Sequence, residues 1–301
     1  MARRLRLRIV PDANRDLISE LPLELKVSIL ECLPTRDAAR TVLLSTHWND
    51  VWLLLGRLAF DFNFFCDIRK CSGKSIVPYK IITYILLQRV QPVKKFSLHL
   101  SALFDPTLEQ SNLDEWCLYL SRNGIEELDI SCSNHCYKLP FCIVSCPTIK
   151  QLELWELGID CPINAPSIFP GVISLVFVQV LFNHNVNGIM SSIPNLEKLK
   201  LVHCEGISNF KFRAPKLESL SIIIGFNPEV ETRWLAPHLE TIKVLCLDLD
   251  SMSILLDDDI HDDDIHDDDI HDDVIHDDVI HDDVIHDDDI QYDDIQYDDI
   301  R

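Results

Sequence analysis

The chain has 301 residues, 47% of them hydrophobic, which is enough for one or two buried cores. Its net charge of −22 is not spread along it: residues 257–301 hold 22 Asp and one Arg, and the other 256 residues carry 27 acids and 26 bases. A nearly neutral body lacks the basic face that a nucleic-acid binder needs, and no stretch approaches the roughly 20 apolar residues of a membrane span.

The first 15 residues form a basic arm without the apolar segment of a secretory signal. Eleven cysteines without regular spacing point to a reduced protein of the cytoplasm or nucleus, with thiols serving as small core residues. Residues 16–56 read as three short helices. Leu25, Ile29 and Leu33 recur every four residues after Pro22, and Pro34 stops that helix. Thr35 or Asp37 is positioned to cap a second helix carrying Ala38, Val42 and Leu43. Ser45 is positioned to cap a third, where Trp48, Val51, Trp52 and Leu55 share one face. Three helices in so short a span rarely hold a core alone, so this unit should lean on a neighbour.

Residues 57–92 read as a joining segment with a helix, Pro78 to Val90, that covers the open end of a repeat region. In that region, residues 93–250, an apolar-x-apolar pair recurs. It appears as Phe96/Leu98, Leu128/Ile130, Leu152/Leu154, Leu175/Phe177, Leu199/Leu201, Leu220/Ile222 and Ile242/Val244. Successive spacings are 32, 24, 23, 24, 21 and 22 residues, close to the roughly 20–29-residue period of leucine-rich repeats. The long first step contains Leu113, Trp116, Cys117 and Leu120 at helical spacing. Each unit is too small to bury its own apolar edge, so the units stack into a solenoid. An antiparallel β domain is the competing reading.

The stretch "DLISELPLELKVSILECLPTRDAARTVLLSTHWNDVW" resembles the F-box. The order F-box, "LAFDF", helix, "VKKFSLHL" and repeats is similar to the plant F-box/LRR group, over about residues 16–250. The resemblance implies an α/β protein, a small N-terminal helical F-box followed by a leucine-rich-repeat solenoid; composition adds a disordered Asp-rich tail, residues 257–301. It implies binding to a Skp1-type adaptor, and through it to a cullin–RING ubiquitin ligase, with an unknown protein substrate on the repeats and no cofactor. By resemblance, Leu21, Pro22, Leu25, Ile29, Leu30, Leu43 and Trp48 lie at or near the adaptor interface. Part of that set can equally be the domain's own core. Two departures stand out. Ser45-Thr46-His47-Trp48 replaces the Ser-Lys-Arg-Trp common in the group, and the FBD region of many members has no counterpart before the Asp-rich run.

No phosphate-binding glycine loop, nucleophile elbow or metal helix is present, which speaks for a non-catalytic receptor. Cys132, His135, Cys136, Cys142 and Cys146 could be imagined as a zinc site, but they lack paired spacing and read equally as buried repeat cysteines. On the concave face of the solenoid, the positions flanking the inward pairs are His99, Asp129, Glu153, Trp155, Lys200 and Lys243, the expected target contacts. In the Asp-rich run, Ile recurs every five residues, which keeps no constant helical face, and charge repulsion favours an extended chain. Its six His among carboxylates suggest weak metal or proton binding.

Overall fold

The computed structural model describes residues 18–72, 78–100, 109–132, 137–160, 167–183, 191–206, 212–223 and 242–247. The chain divides after Ile260 into two units, and all described residues belong to the first. The basic arm and the Asp-rich run, with the expectations attached to them, lie outside the described residues.

The N-terminal helices are α1 (Leu23–Glu31), α2 (Thr35–Arg40), which runs into a 3-10 turn (Thr41–Leu43), and α3 (Thr46–Leu53). Prolines start the first two. Pro22 and Pro34 precede them in extended conformation, and their carbonyls accept from Lys26 N (3.2 Å) and Ala38 N (3.0 Å). Pro22 is therefore the cap and not the first helical residue, and neither Thr35 nor Asp37 serves as cap. Ser45 does precede α3, yet its side chain makes no capping bond. Leu30, Ala38, Trp48, Val51, Trp52 and Leu55 are buried together as the core of this unit.

Its neighbour comes at once. Strand β1 (Arg57–Phe60) leads through α4 (Phe62–Ser72) and α5 (Pro78–Leu87) to β2 (Lys95–Leu100). The two strands pair in parallel, with Leu58 opposite Phe96 and Phe60 opposite Leu98. The sheet thus begins at Arg57, inside the stretch expected to be a linker. Helix α5 belongs to the β1–β2 crossover and packs on the next crossover helix, α6 (Gln110–Arg122), where Trp116 Nε1 donates to Thr83 Oγ1 at 2.8 Å. It does not lie over the end of the sheet. Helix α6 buries Leu113, Trp116, Cys117 and Leu120, the face its spacing predicts.

The chain continues through β3 (Glu127–Cys132), α7 (Phe141–Val144), β4 (Gln151–Trp155), β5 (Gly158–Asp160), β6 (Ser174–Val178) and β7 (Leu181–Asn183). After these come β8 (Ser191–Ser192), β9 (Lys198–Val202), β10 (Phe212–Arg213), β11 (Ser219–Ile223) and β12 (Val244–Leu247). One parallel sheet has the order β1-β2-β3-β4-β6-β9-β11-β12, and the short pairs β5/β7 and β8/β10 form along the return segments. Parallel pairing throughout removes the antiparallel alternative. The inward pairs from Phe96/Leu98 to Leu220/Ile222 are in register and buried, as a stacked solenoid requires.

The strands β4, β6 and β9 end on Glu156, Gln179 and His203, with φ of 54°, 50° and 49°. A left-handed residue other than glycine costs about 1–2 kcal/mol. Each of these offsets the cost with a bond to the next strand's end: N–H to Val178 O (3.0 Å), Val202 O (2.7 Å) and Ile223 O (2.7 Å). The bend also turns Leu157, Val180 and Cys204 into the core as a third inward row.

The last repeat corrects the sequence reading. Leu220 pairs with Leu245 and Ile222 with Leu247, so the inward pair is Leu245/Leu247, three residues beyond Ile242/Val244. In "IKVLCL" both alternating series, 242-244-246 and 245-247, are apolar, so hydrophobic alternation alone leaves the register open.

Arg89 joins the helical unit to the crossover. It is nearly buried, its Nη1 donates to Trp52 O at 2.6 Å, its Nε donates to Ile85 O at 3.1 Å, and its guanidinium stands 4.3 Å from the Trp52 ring. Burial lowers its pKa to about 10. Replacing it with lysine keeps the charge but loses the planar fork; Arg89→Lys should lower unfolding free energy by about 1–3 kcal/mol in denaturant titration. Gly171 is the tightest backbone approach, since a Cβ there would overlap the Pro147 carbonyl and come within 2.9 Å of Ile149 O. Gly171→Ala should cost about 1–3 kcal/mol or more by the same assay. Gly56→Ala, whose Cβ would meet nothing closer than 3.5 Å, should stay near wild type.

Candidate protein-interaction surfaces

The helical unit leaves much apolar surface uncovered. Leu25 and Ile29, one turn apart on α1, are 52% and 44% exposed. Leu43 and Leu44, in and after the 3-10 turn, are 85% and 72% exposed. Pro22 is exposed and Leu21 half-buried. Leu30 and Trp48 differ from the expectation: both are buried in the module's core and present almost no side-chain surface. Helix α1 turns Leu30 under the bundle while Ile29 faces out, and Trp48 shares the inner face of α3 with Val51 and Trp52. Leu23, Leu33 and Leu44 are exposed apolar residues outside the expected interface set, and nothing in their spacing separates them from core positions.

Lys26 is a charged residue inside this unit. It is buried, its Nζ donates to Ser19 O at 2.6 Å, and it faces His47 Nε2 across the α1–α3 contact. The position where the F-box group commonly carries a base is thus tied to a lysine inside the module.

The second surface is the outward face of the long sheet. The register places Ser97, Asp129, Glu153, Val176, Lys200 and Ser221 in one row across successive strands. His99, Ser131 and Trp155 belong to the adjacent row, which continues with Val178, Val202 and Ile223. Five of the expected contacts therefore share this face. Lys243 does not: with the corrected register it precedes β12 and pairs with Glu218 at 2.7 Å along the sheet's edge.

Asp129 Oδ2 accepts from Ser97 Oγ at 2.7 Å and from His99 Nε2 at 3.0 Å. Serine and histidine bind the same carboxylate oxygen, and one imidazole nitrogen faces both partners, so this is an ion-pair cluster and not a nucleophile relay. The bond to Asp129 raises the His99 pKa above 6.5; burial opposes the rise, and the charges of Asp129, Asp61 and Glu153 add to it. Trp155 Nε1 donates to Glu153 Oε1 at 2.9 Å, which fixes the half-buried indole beside that carboxylate.

Among its described residues the cysteine-rich stretch shows no ligand set. Cys117, Cys132 and Cys146 are buried free thiols, and burial pushes the Cys117 pKa up, against the thiolate form a metal needs. His135 and Cys136 lie outside the described residues. No group of metal-ligating side chains occurs among the described residues. No helix among them is long and apolar enough to cross a membrane.

Known families match both regions of the chain. An F-box domain profile matches residues 18–59, and a profile described as "FBD-associated F-box protein At5g56370, LRR repeats" matches residues 113–254. The Arabidopsis thaliana F-box/FBD/LRR-repeat protein At1g13570 is 33% identical over 203 residues, covering 64% of this chain and 45% of that protein. The putative FBD-associated F-box protein At5g53635 of the same plant is 27% identical over 239 residues, covering 76% and 54%. Its F-box/LRR-repeat protein At3g26922 is 26% identical over 239 residues, covering 77% and 75%. The chain thus spans about half the length of the first two relatives. No solved structure matches it.

The His99–Asp129 pair is open to test by titration. A raised folded-state pKa adds stability that is complete below the unfolded value of about 6.5 and fades as pH climbs through the raised value. NMR should give His99 a pKa above 6.5 that falls back in Asp129→Asn. The melting-temperature gap between the two proteins should be widest at acid pH; a gap that widens upward contradicts the assignment.

Proposed function

We propose, because the chain is an F-box/LRR-repeat protein of the plant type, that it docks a Skp1-type adaptor through its F-box and holds a target protein on its repeats. In this reading it is a non-catalytic substrate receptor of a cullin–RING ubiquitin ligase, working in the cytoplasm or nucleus, and its partners supply the ubiquitin chemistry. The observation that carries the reading is the apolar surface of a module whose core is already filled. Leu25, Ile29, Leu43 and Leu44 stand in solvent while Leu30, Trp48, Val51 and Trp52 pack beneath. Solvent-facing leucines concentrated on so small a unit are the anchors of a stable interface.

A second reading has its own support. The adaptor-facing position of the usual basic pair is Thr46-His47, and His47 is engaged by Lys26. A chain that no longer held the adaptor would act as an LRR scaffold outside any ligase.

Co-expression with a Skp1-type adaptor decides between them. Wild type should co-purify as a stable complex, and Ile29→Asp with Leu43→Asp should weaken binding at least about 30-fold, as loss of an interface anchor does. Both sites are exposed, so the variant's melting temperature should stay near wild type. A wild-type chain that forms no complex removes the ligase reading and leaves the scaffold.

A further inference from the structure

The outward row of the sheet has an order of its own. Asp129 on β3, Glu153 on β4, Val176 on β6 and Lys200 on β9 stand in direct register on neighbouring strands. Asp129, Glu153 and Val176 also line one shallow groove, together with Gln151 and Ser174 of the row beside them and, at the Asp129 end, Arg57 and the Lys95–Glu127 ion pair. At its far end that second row adds another base, Lys198, in register with Ser174.

Among the described residues, the charges in this row are not all consumed by internal partners. Asp129 and Glu153 lie directly opposite each other, a like-charge pairing that costs stability in a sheet. Asp129 is partly compensated by His99, but its Oδ1 receives no hydrogen bond. Among the described residues Glu153 accepts a side-chain hydrogen bond from the neutral Trp155 indole and makes no ion pair. Among the described residues neither Lys198 nor Lys200 makes an ion pair, whereas Lys94, Lys95, Lys138, Lys150 and Lys243 all do. Adjacent carboxylates at one end of the row and, among the described residues, bases without an ion pair at the other, separated by a valine, are an ordered polarity that internal packing does not require.

Building on the receptor reading above, we infer that this row is a docking ladder for an extended segment of the target protein. The segment carries a basic side chain over Asp129 and Glu153, an apolar residue over Val176, and an acidic side chain over Lys198 and Lys200. Trp155 flanks the acidic end and offers an indole beside the incoming cation, a placement suited to arginine. Strands lie about 4.8 Å apart, so the row from Glu153 to Lys200 spans about 10 Å and from Asp129 about 14 Å. An extended chain advances about 3.3 Å per residue, which sets the segment's base and acid about three or four residues apart.

Selection of a random dodecapeptide library on the full chain tests this directly. Enriched peptides should pair Arg or Lys with Asp or Glu at about that spacing, with an apolar residue between them. For one selected peptide, Glu153→Lys and Lys200→Glu should each weaken binding about tenfold or more. Changing the peptide's acid to lysine should restore binding to Lys200→Glu, which excludes a misfolded variant as the cause. No enrichment, enrichment without paired charges, or indifference to both substitutions overturns the ladder. In cells, a target captured equally by wild type and both variants keeps the receptor reading and overturns the ladder. A wild-type chain that captures no protein beyond adaptor and cullin overturns the receptor reading itself.

Discussion

The parallel pairing of Arg57–Phe60 with Lys95–Leu98 is the constraint on which the rest of the fold depends. A helical module of this size has too little interior to stand alone, and a solenoid needs a first rung that is not itself half exposed. One four-residue strand meets both needs. Leu58 and Phe60 complete the buried stack against Phe96 and Leu98, while the helices just before the strand inherit its rigidity. Glu31 reinforces the joint from α1: its Oε1 accepts from Gly56 N and its carbonyl from Arg57 Nη1. Arg89 ties Trp52 to the crossover from the other side.

With the module held this way, its two faces divide their roles. Its interior is closed by tryptophans and leucines, and its surface shows leucine to water. The sheet divides likewise. Its inner rows are leucine, isoleucine and phenylalanine, fixed by stacking, whereas its outer rows mix serine, acids, valine and lysine across successive strands. Stacking dictates the residues of the inner rows and leaves the outer positions free of that demand.

That division also explains what the sequence disclosed. Strands β2, β3, β4, β6, β9 and β11 and the buried face of α6 were legible, because stacking makes the same demand at a near-constant interval; the short return strands β5, β7, β8 and β10 carry no such repeat. The last register was not, since "IKVLCL" is apolar at both parities. Strand β1 was hidden by distance: two helices separate it from its partner, so no constant spacing marks it. In the helical module the ambiguity was between surface and core, because Ile29 and Leu30 are adjacent residues of similar hydrophobicity facing opposite ways. Lys26 could not be recognised as buried at all, because the His47 it meets lies 21 residues along the chain.

The two ends of the sheet are unlike, and this has a consequence for assembly. At β1 the helical module covers the rim, with Thr35 Oγ1 accepting the Ala59 N–H at 2.7 Å. At β12, Val244 and Leu245 are exposed and no further strand succeeds it among the described residues. A ladder stoppered at one end cannot polymerise head to tail, because the growing rung would find no vacant rung to receive it. The covered β1 rim alone is enough to forbid the head-to-tail stacking of one sheet on another.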